Sequence, residues 1–231
     1  MVRKSVAFGR SIVVLIILLV TALSTFAQTT YYSRASTNWN VTTTWSTVGY
    51  GGVPAASVPV AGDFVNIGNT YTVTITGVAA ASATLTIDNG GGLNVNNTIA
   101  VSGATIVNGS LSIGSTAGTK TFTGLVTIGG GGTWNETVVE PTVFQGGITN
   151  NGTFTAGTGV HNFNTNSQAL TGTFTIPSVS VNGAAVVLTN TNTLTVSTAL
   201  SGTGRITQGA GATLNIGGTS AITNMTATAA G

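Results

Sequence analysis

The chain has no cysteine in 231 residues, a single histidine, and charged side chains at only 4% of its positions. No disulfide framework and no thiolate metal site can exist, so stability must come from burial and backbone pairing. The lone His161 has no Cys or acidic neighbour in the sequence, which leaves neither a catalytic triad nor a metal site to build around it. Lys120 and Arg205 are isolated, too far from other charges to suggest proton abstraction. Of the formal charge of +2, the first 27 residues contribute +3 through Arg3, Lys4 and Arg10. Beyond them stand three bases, Arg34, Lys120 and Arg205, against four acids, Asp63, Asp88, Glu136 and Glu140, a net charge of −1. Without clustered Lys and Arg, neither a nucleic-acid surface nor polybasic membrane binding is expected. Helical periodicity is missing too. With 33 glycines and 45 threonines the composition is that of β-branched strands punctuated by turns.

What is present is a repeat. Trp134, Phe154, Phe174, Leu194 and Leu214 are spaced by 20 residues, and each follows a threonine: Thr133, Thr153, Thr173, Thr193 and Thr213. Two places after each apolar residue come Glu136, Ala156, Ile176, Val196 and Ile216. A fixed period with alternation inside it marks stacked repeats. The expected fold is all-β, a right-handed parallel β-helix of about 20 residues per coil, with the apolar residues as two inward columns. Leu93 and Leu111 are earlier members of the Trp134 column, at spacings of 18 and 23. Glu136 interrupts the second column, and with Gly129–Gly132 just before it a bulge or turn is expected there. A membrane barrel would need longer strands and aromatic girdles. A β-sandwich would not demand one register at every step of 20.

At the front, Arg3, Lys4 and Arg10 precede the apolar run Ile12–Val20 and small residues, with Thr25 and Ala27 at a cleavage site. This is the layout of a secretory signal peptide over 1–27, with no membrane insertion after cleavage. Residues 28–71 hold all four tyrosines and Trp39 and Trp45, with Pro54 and Pro59 in a loop before Ala61-Gly62-Asp63. They are expected to cap the first rung, because the end of a repeat stack would otherwise expose its core. Repeats are expected over 72–231, with runs at Thr72–Thr76, Ala83–Ile87, Leu93–Val95, Thr98–Val101, Ser110–Ile113 and Leu125–Ile128.

Few residues suggest chemistry. Tyr31, Tyr32, Trp39, Trp45 and Tyr50 offer flat rings for sugar stacking, or a plug for the solenoid end. Asp63 and Asp88 sit in turn sequences, and no Asp-rich calcium loop surrounds them. Glu136 and Glu140 could pass for a glycosidase pair, but four extended residues span ~13 Å, beyond the ~5–9.5 Å such carboxylates use. The sequence therefore points to no enzyme, no cofactor and no metal. Thr133, Thr153, Thr173, Thr193 and Thr213 point outward if their neighbours point in, with Thr155, Thr175 and Thr195 as a second row. This Thr-x-Thr array resembles the ice-binding face of β-solenoid antifreeze proteins. Ordinary threonine ladders on a solvated face give the same pattern.

A wider resemblance runs through Trp39-x5-Trp45, then 58–67 (Val-Pro-Val-Ala-Gly-Asp-Phe-Val-Asn-Ile), then 71–75 (Tyr-Thr-Val-Thr-Ile). It covers residues 31–115 and resembles the opening of large secreted bacterial adhesin-like β-helix surface proteins, often exported by the type IX system. The resemblance implies a secreted or cell-surface structural protein without catalytic activity, whose partners are extracellular glycans or surface components. A carbohydrate-binding or carbohydrate-cleaving module is the alternative, and ice binding a third. Such proteins end in a C-terminal sorting domain. The last residues here, 226–231, do not resemble one, so a C-terminal truncation is expected.

Overall fold

Thr-Val-Thr-Ile at 72–75 and Thr-Leu-Thr-Ile at 84–87 each place two apolar side chains on one face and two hydroxyls on the other, because successive strand residues point opposite ways. In the computed structural model, which describes residues 28–68 and 70–217 and the backbone of 226–228, both tetrads are strands with their Val, Leu and Ile buried. The expected leader at 1–27 lies outside the described residues, as do 218–225 and 229–231 at the expected truncation. The only helical element described is the 3-10 turn Thr42–Thr44.

The strands stack as a parallel β-solenoid of about eight coils, roughly 20 residues apart. Three sheets form its sides, of 11, 5 and 8 strands. The first sheet climbs through Phe64–Ile67, Thr84–Ile87, Thr105–Val107, Val126–Ile128 and Ile148–Asn150 to Thr226–Thr228. The second runs from Thr72–Ile75 through Gly92–Val95, Ser110–Ile113 and Thr133–Glu136 to Thr153–Thr155. The third runs from Ala80–Ser82 through Lys120–Phe122, Thr142–Phe144 and Val160–Asn164 to Thr173–Asn182, Thr193–Gly202 and Thr213–Ile216.

Register confirms the inward column. Val73, Leu93, Leu111, Trp134 and Phe154 are successive partners, and Phe174, Leu194 and Leu214 continue the stack. The irregular spacings arise in the connections: the short turn 108–109 gives the step of 18, and the longer loops 114–119 and 129–132 give the step of 23. Ring stacks reinforce the columns, as at Phe122–Phe144 with centroids 5.8 Å apart and Phe144–Phe163 at 5.5 Å. Each such buried side chain is worth about 1.5–3 kcal/mol relative to exposure. The second column ends less securely, with Ile216 42% exposed and covered by a described coil on one side only.

Of the bulge or turn expected at Glu136, no bulge forms; the strand ends at Glu136 and the loop 137–141 follows. Thr133–Glu136 pairs residue for residue with Ser110–Ile113, so Ile113 and Glu136 are register partners and the carboxylate points into the core. It is tolerated because polar partners wait for it there. The irregularity falls instead between Ile176 and Ser178, beside Pro177, which has no N–H to give to a ladder.

The N-terminal segment is an aromatic cap and more. Thr30–Ser33 pairs antiparallel with Trp45–Ser46, yet parallel with Phe64–Ile67, so the ladder of the first sheet already begins there.

Candidate functional site

The five aromatic residues of the cap divide by burial. Tyr31, Trp39 and Trp45 are buried, packed edge-to-face with centroids 6.4 Å (Tyr31–Trp45) and 5.0 Å (Trp39–Trp45) apart. Their polar edges are satisfied internally: Trp45 Nε1 donates to Trp39 O at 2.7 Å, and Tyr31 Oη meets Ser57 Oγ at 2.6 Å. These three rings have no open face for a sugar; they plug the solenoid end. Tyr32 and Tyr50 are half-buried and meet edge-to-face at 5.3 Å. Tyr50 Oη donates to Asp88, and its phenol is pushed well above its ordinary range by burial first, then by the Asp88 hydrogen bond and charge.

Asp63 is a turn anchor. Its Oδ1 accepts from Thr29 N at 3.1 Å and its Oδ2 from Val60 N at 2.9 Å. Arg34 is likewise spent on backbone, at Gly52 O (2.6 Å) and Thr43 O (2.9 Å). No group of three or more His, Cys, Asp or Glu that could hold a metal occurs among the described residues.

The isolation of His161 and Lys120 in sequence does not survive folding. Lys120, Thr142 and His161, spaced by 22 and 19 residues, occupy one inward position in three successive strands of the third sheet. Lys120, Glu136, Glu140 and His161 are all buried, at exposures of 0, 4, 1 and 0%. Glu136 Oε1 accepts from Trp134 Nε1 at 2.8 Å and Thr142 Oγ1 at 3.2 Å, while Oε2 accepts from Gly157 N at 2.9 Å. His161 Nε2 lies 2.8 Å from the same Oε2, a close contact that is not aligned as a hydrogen bond, and Nδ1 lies 3.2 Å from Gly159 O. Burial raises the Glu136 pKa, but His161, Gly157 N–H and Trp134 outweigh it, and the carboxyl titrates below its ordinary value.

Lys120 Nζ lies 2.9 Å from Glu140 Oε1 and donates to Ser115 O, Ala117 O and Gly118 O at 3.0, 2.6 and 3.3 Å. The ammonium has more acceptors than protons, so it staples the loop 114–119 to the segment carrying Glu140. The two pairs sit where the second sheet turns into the third, in coils with an intervening loop. In later coils the two sides run on as single strands, Thr173–Asn182 and Thr193–Gly202. Both pairs are sealed from solvent, and they reach backbone of the adjoining loops: Lys120 at 115, 117 and 118, Glu136 at Gly157 and His161 at Gly159. Spacings of 22 and 19 hide the Lys120–Thr142–His161 column from the 20-residue step, which leads from Lys120 to Glu140.

The threonine rows do face outward. Thr133, Thr153, Thr173 and Thr213 are exposed and Thr193 is half-buried. Their ladder is interrupted, however. Thr153–Thr155 is the last strand of the second sheet, and Thr173–Asn182 pairs with the third. A single residue, Gly172, connects Gln168–Thr171 to Thr173–Asn182 at this step. Its φ is +113°, and a Cβ there would lie 2.3 Å from Asn150 O.

A cleft of 530 Å³ opens at the interruption, lined by Asn150, Asn151, Thr153, Phe154, Thr173 and Thr175 among others. A second, of 340 Å³, lies on the same edge of the solenoid between Asn89 and Thr133. No protein-family model, curated protein or solved structure matches the chain.

Proposed function

We propose that the chain is a secreted, non-catalytic, adhesin-like β-solenoid that presents a neutral polar surface to extracellular partners. The observation that carries this reading is where the charges are. The side chains suited to acid–base work, Lys120, Glu136, Glu140 and His161, are consumed inside the core. The outward rows of the second sheet are Thr, Ser, Asn and Gly, without one charge among the described strands. Such a surface meets partners through hydroxyls, amides and shape, and ionic steering contributes little. The resemblance of residues 31–115 to secreted surface proteins supports the same setting. The interruption between Thr155 and Thr175 weighs against an ice-binding face, which needs an unbroken plane.

Three measurements test the reading. N-terminal sequencing of the exported protein should start near Gln28, and an intact 1–27 segment would refute the leader. Beads coated with the protein should adhere to cell surfaces or matrix, and adhesion equal to that of uncoated beads would remove the adhesin reading. Incubation with polysaccharides should release neither reducing ends nor unsaturated products. Release that disappears on changing Glu136 or Glu140 would make the chain an enzyme.

A further inference from the structure

The two clefts form one track. Thr133 lines the first, Thr153 the second, and the two are register partners in adjacent coils. The track therefore runs along the solenoid axis, where the turns from first to second sheet line up, from the coil of Thr72 to that of Thr173. Five coil steps at ~4.8 Å make it about 24 Å long. We infer that this edge binds an extended neutral polysaccharide, with the exposed part of Phe154, a ring otherwise packed against Trp134, His161 and Phe174, as its apolar contact. The inference rests on the adhesin reading only for the extracellular setting in which the ligand is met.

The lining sets the ligand class. No ionisable side chain lines either cleft. Asn89, Asn108 and Ser110 in the first, and Asn151, Thr153 and Thr175 in the second, supply amides and hydroxyls that both donate and accept, as sugar hydroxyls require. An acidic glycan or a phosphate would find no counter-charge here. Phe154 supplies the apolar part. Beyond residue 72 the other aromatic residues, Phe122, Trp134, Phe144, Phe163 and Phe174, are no more than 1% exposed, whereas Phe154 is half-buried and lines the cleft. Its exposure follows from the interrupted ladder, which leaves Thr153–Thr155 an edge strand inside the stack. An aromatic surface among a few placed polar groups is the usual composition of a small-ligand site.

An edge strand also invites a peptide strand, but the spacing refuses one. Phe154 and Phe174 ring centroids are 5.4 Å apart, no farther than the 5.9 Å between Phe154 and Trp134, whose strands are paired. Inserting a strand would roughly double the ~4.8 Å step between these coils. The cleft is thus a surface notch, open to a ligand lying across it.

Titration calorimetry of the full chain with neutral hexasaccharides of glucose, xylose, mannose and N-acetylglucosamine tests the inference. At least one should bind, with an affinity unchanged between 0.05 and 0.5 M salt, because no charge pairing is involved. Thr153→Trp, an exposed position, should fill the notch and weaken binding at least tenfold without changing the melt. Phe154→Leu keeps apolar packing and should weaken binding comparably. Thr121→Trp, on the third sheet's outer face, should leave it unchanged. Failure of all four hexasaccharides to bind, binding undiminished in Thr153→Trp, or salt-sensitive binding of an acidic polymer instead would each overturn the inference. Bead adhesion that persists in Thr153→Trp removes the track and leaves the adhesin reading standing. Hexasaccharide binding by a chain whose beads do not adhere does the reverse.

Discussion

Phe174 is 1% exposed and sits between Phe154 and Leu194, one coil to either side. Phe174→Ala removes a ring that both neighbours touch, and should cost about 3–5 kcal/mol. Thr173→Ser, one residue away on the outer face, should change stability by no more than about 0.5 kcal/mol. Denaturant melts of the pair check the inward and outward assignment directly, and equal losses would refute it.

Glu136 makes the fold sensitive to acid. Its folded pKa lies below the ordinary 4.5, held down against burial by His161, Gly157 N–H and Trp134, with Thr142 completing its partners. The stability it contributes is therefore fully present above pH 4.5 and is lost as pH falls through the lower folded value. Glu136→Gln should be less stable at pH 7 by about 1.5–3 kcal/mol, since Trp134, Thr142 and Gly157 N–H lose a charged acceptor. It should also lose less stability than the wild type between pH 5 and pH 3. Thermal melts across that range would show the two curves converging; parallel curves would mean that Glu136 is not the titrating group.

At the scale of strands and loops, the buried Lys120–Glu140 pair and the turns carry the testable consequences. Lys120→Met strands the Glu140 carboxylate, whose Oε2 already lacks a hydrogen-bond partner, and should cost about 3–5 kcal/mol. Lys120→Met with Glu140→Leu should recover most of that loss, because the second change removes the unpaired charge. A double-mutant cycle measures the coupling, and additive losses would mean the pair is not coupled. Amide exchange at Ser115–Gly118 should quicken in Lys120→Met, since the ammonium holds three carbonyls of that loop. Among turns, Gly172→Ala should destabilise by about 1–3 kcal/mol through its left-handed backbone and the approach to Asn150 O. Gly130→Ala, with its nearest outside atom at 3.8 Å, should be nearly neutral. Melts that rank these two the other way would refute the account of the Gly172 connection.

For the whole molecule, stability is a sum over neighbouring coils, so coils should be removable in whole units. Deleting Thr173–Asn192 joins Gly172 to Thr193 and puts Thr-Leu-Thr-Val in place of Thr-Phe-Thr-Ile. Every inward position stays inward, and the product should fold with a single cooperative melt and β-type circular dichroism. Deleting one residue more, 173–193, shifts the strand by an odd step and turns its apolar side chains outward. That product should aggregate or fail to melt cooperatively. Indistinguishable behaviour of the two deletions would refute the stacked register.

The sequence alone determined the alternation within each strand, the 20-residue step between strands and hence the all-β solenoid. A parallel stack sets residue i beside its counterpart one coil on, and Thr-Phe-Thr-Ile at 173–176 over Thr-Leu-Thr-Val at 193–196 is that rule written out. The solvated threonine rows followed from the same parity. Only the tertiary structure decided how the charges are used. Glu136 and His161 lie on different sheets one coil apart, and Lys120 and Glu140 meet across two loops, so their contacts depend on how each connection absorbs its extra residues. The exposure of Phe154 was likewise hidden, because its sequence neighbours match those of the buried Phe174. What separates the two rings is a one-residue connection at Gly172 and the ladder that stops beside it. Local pattern decides which way a side chain points, whereas contact and access depend on the coil above and the coil below.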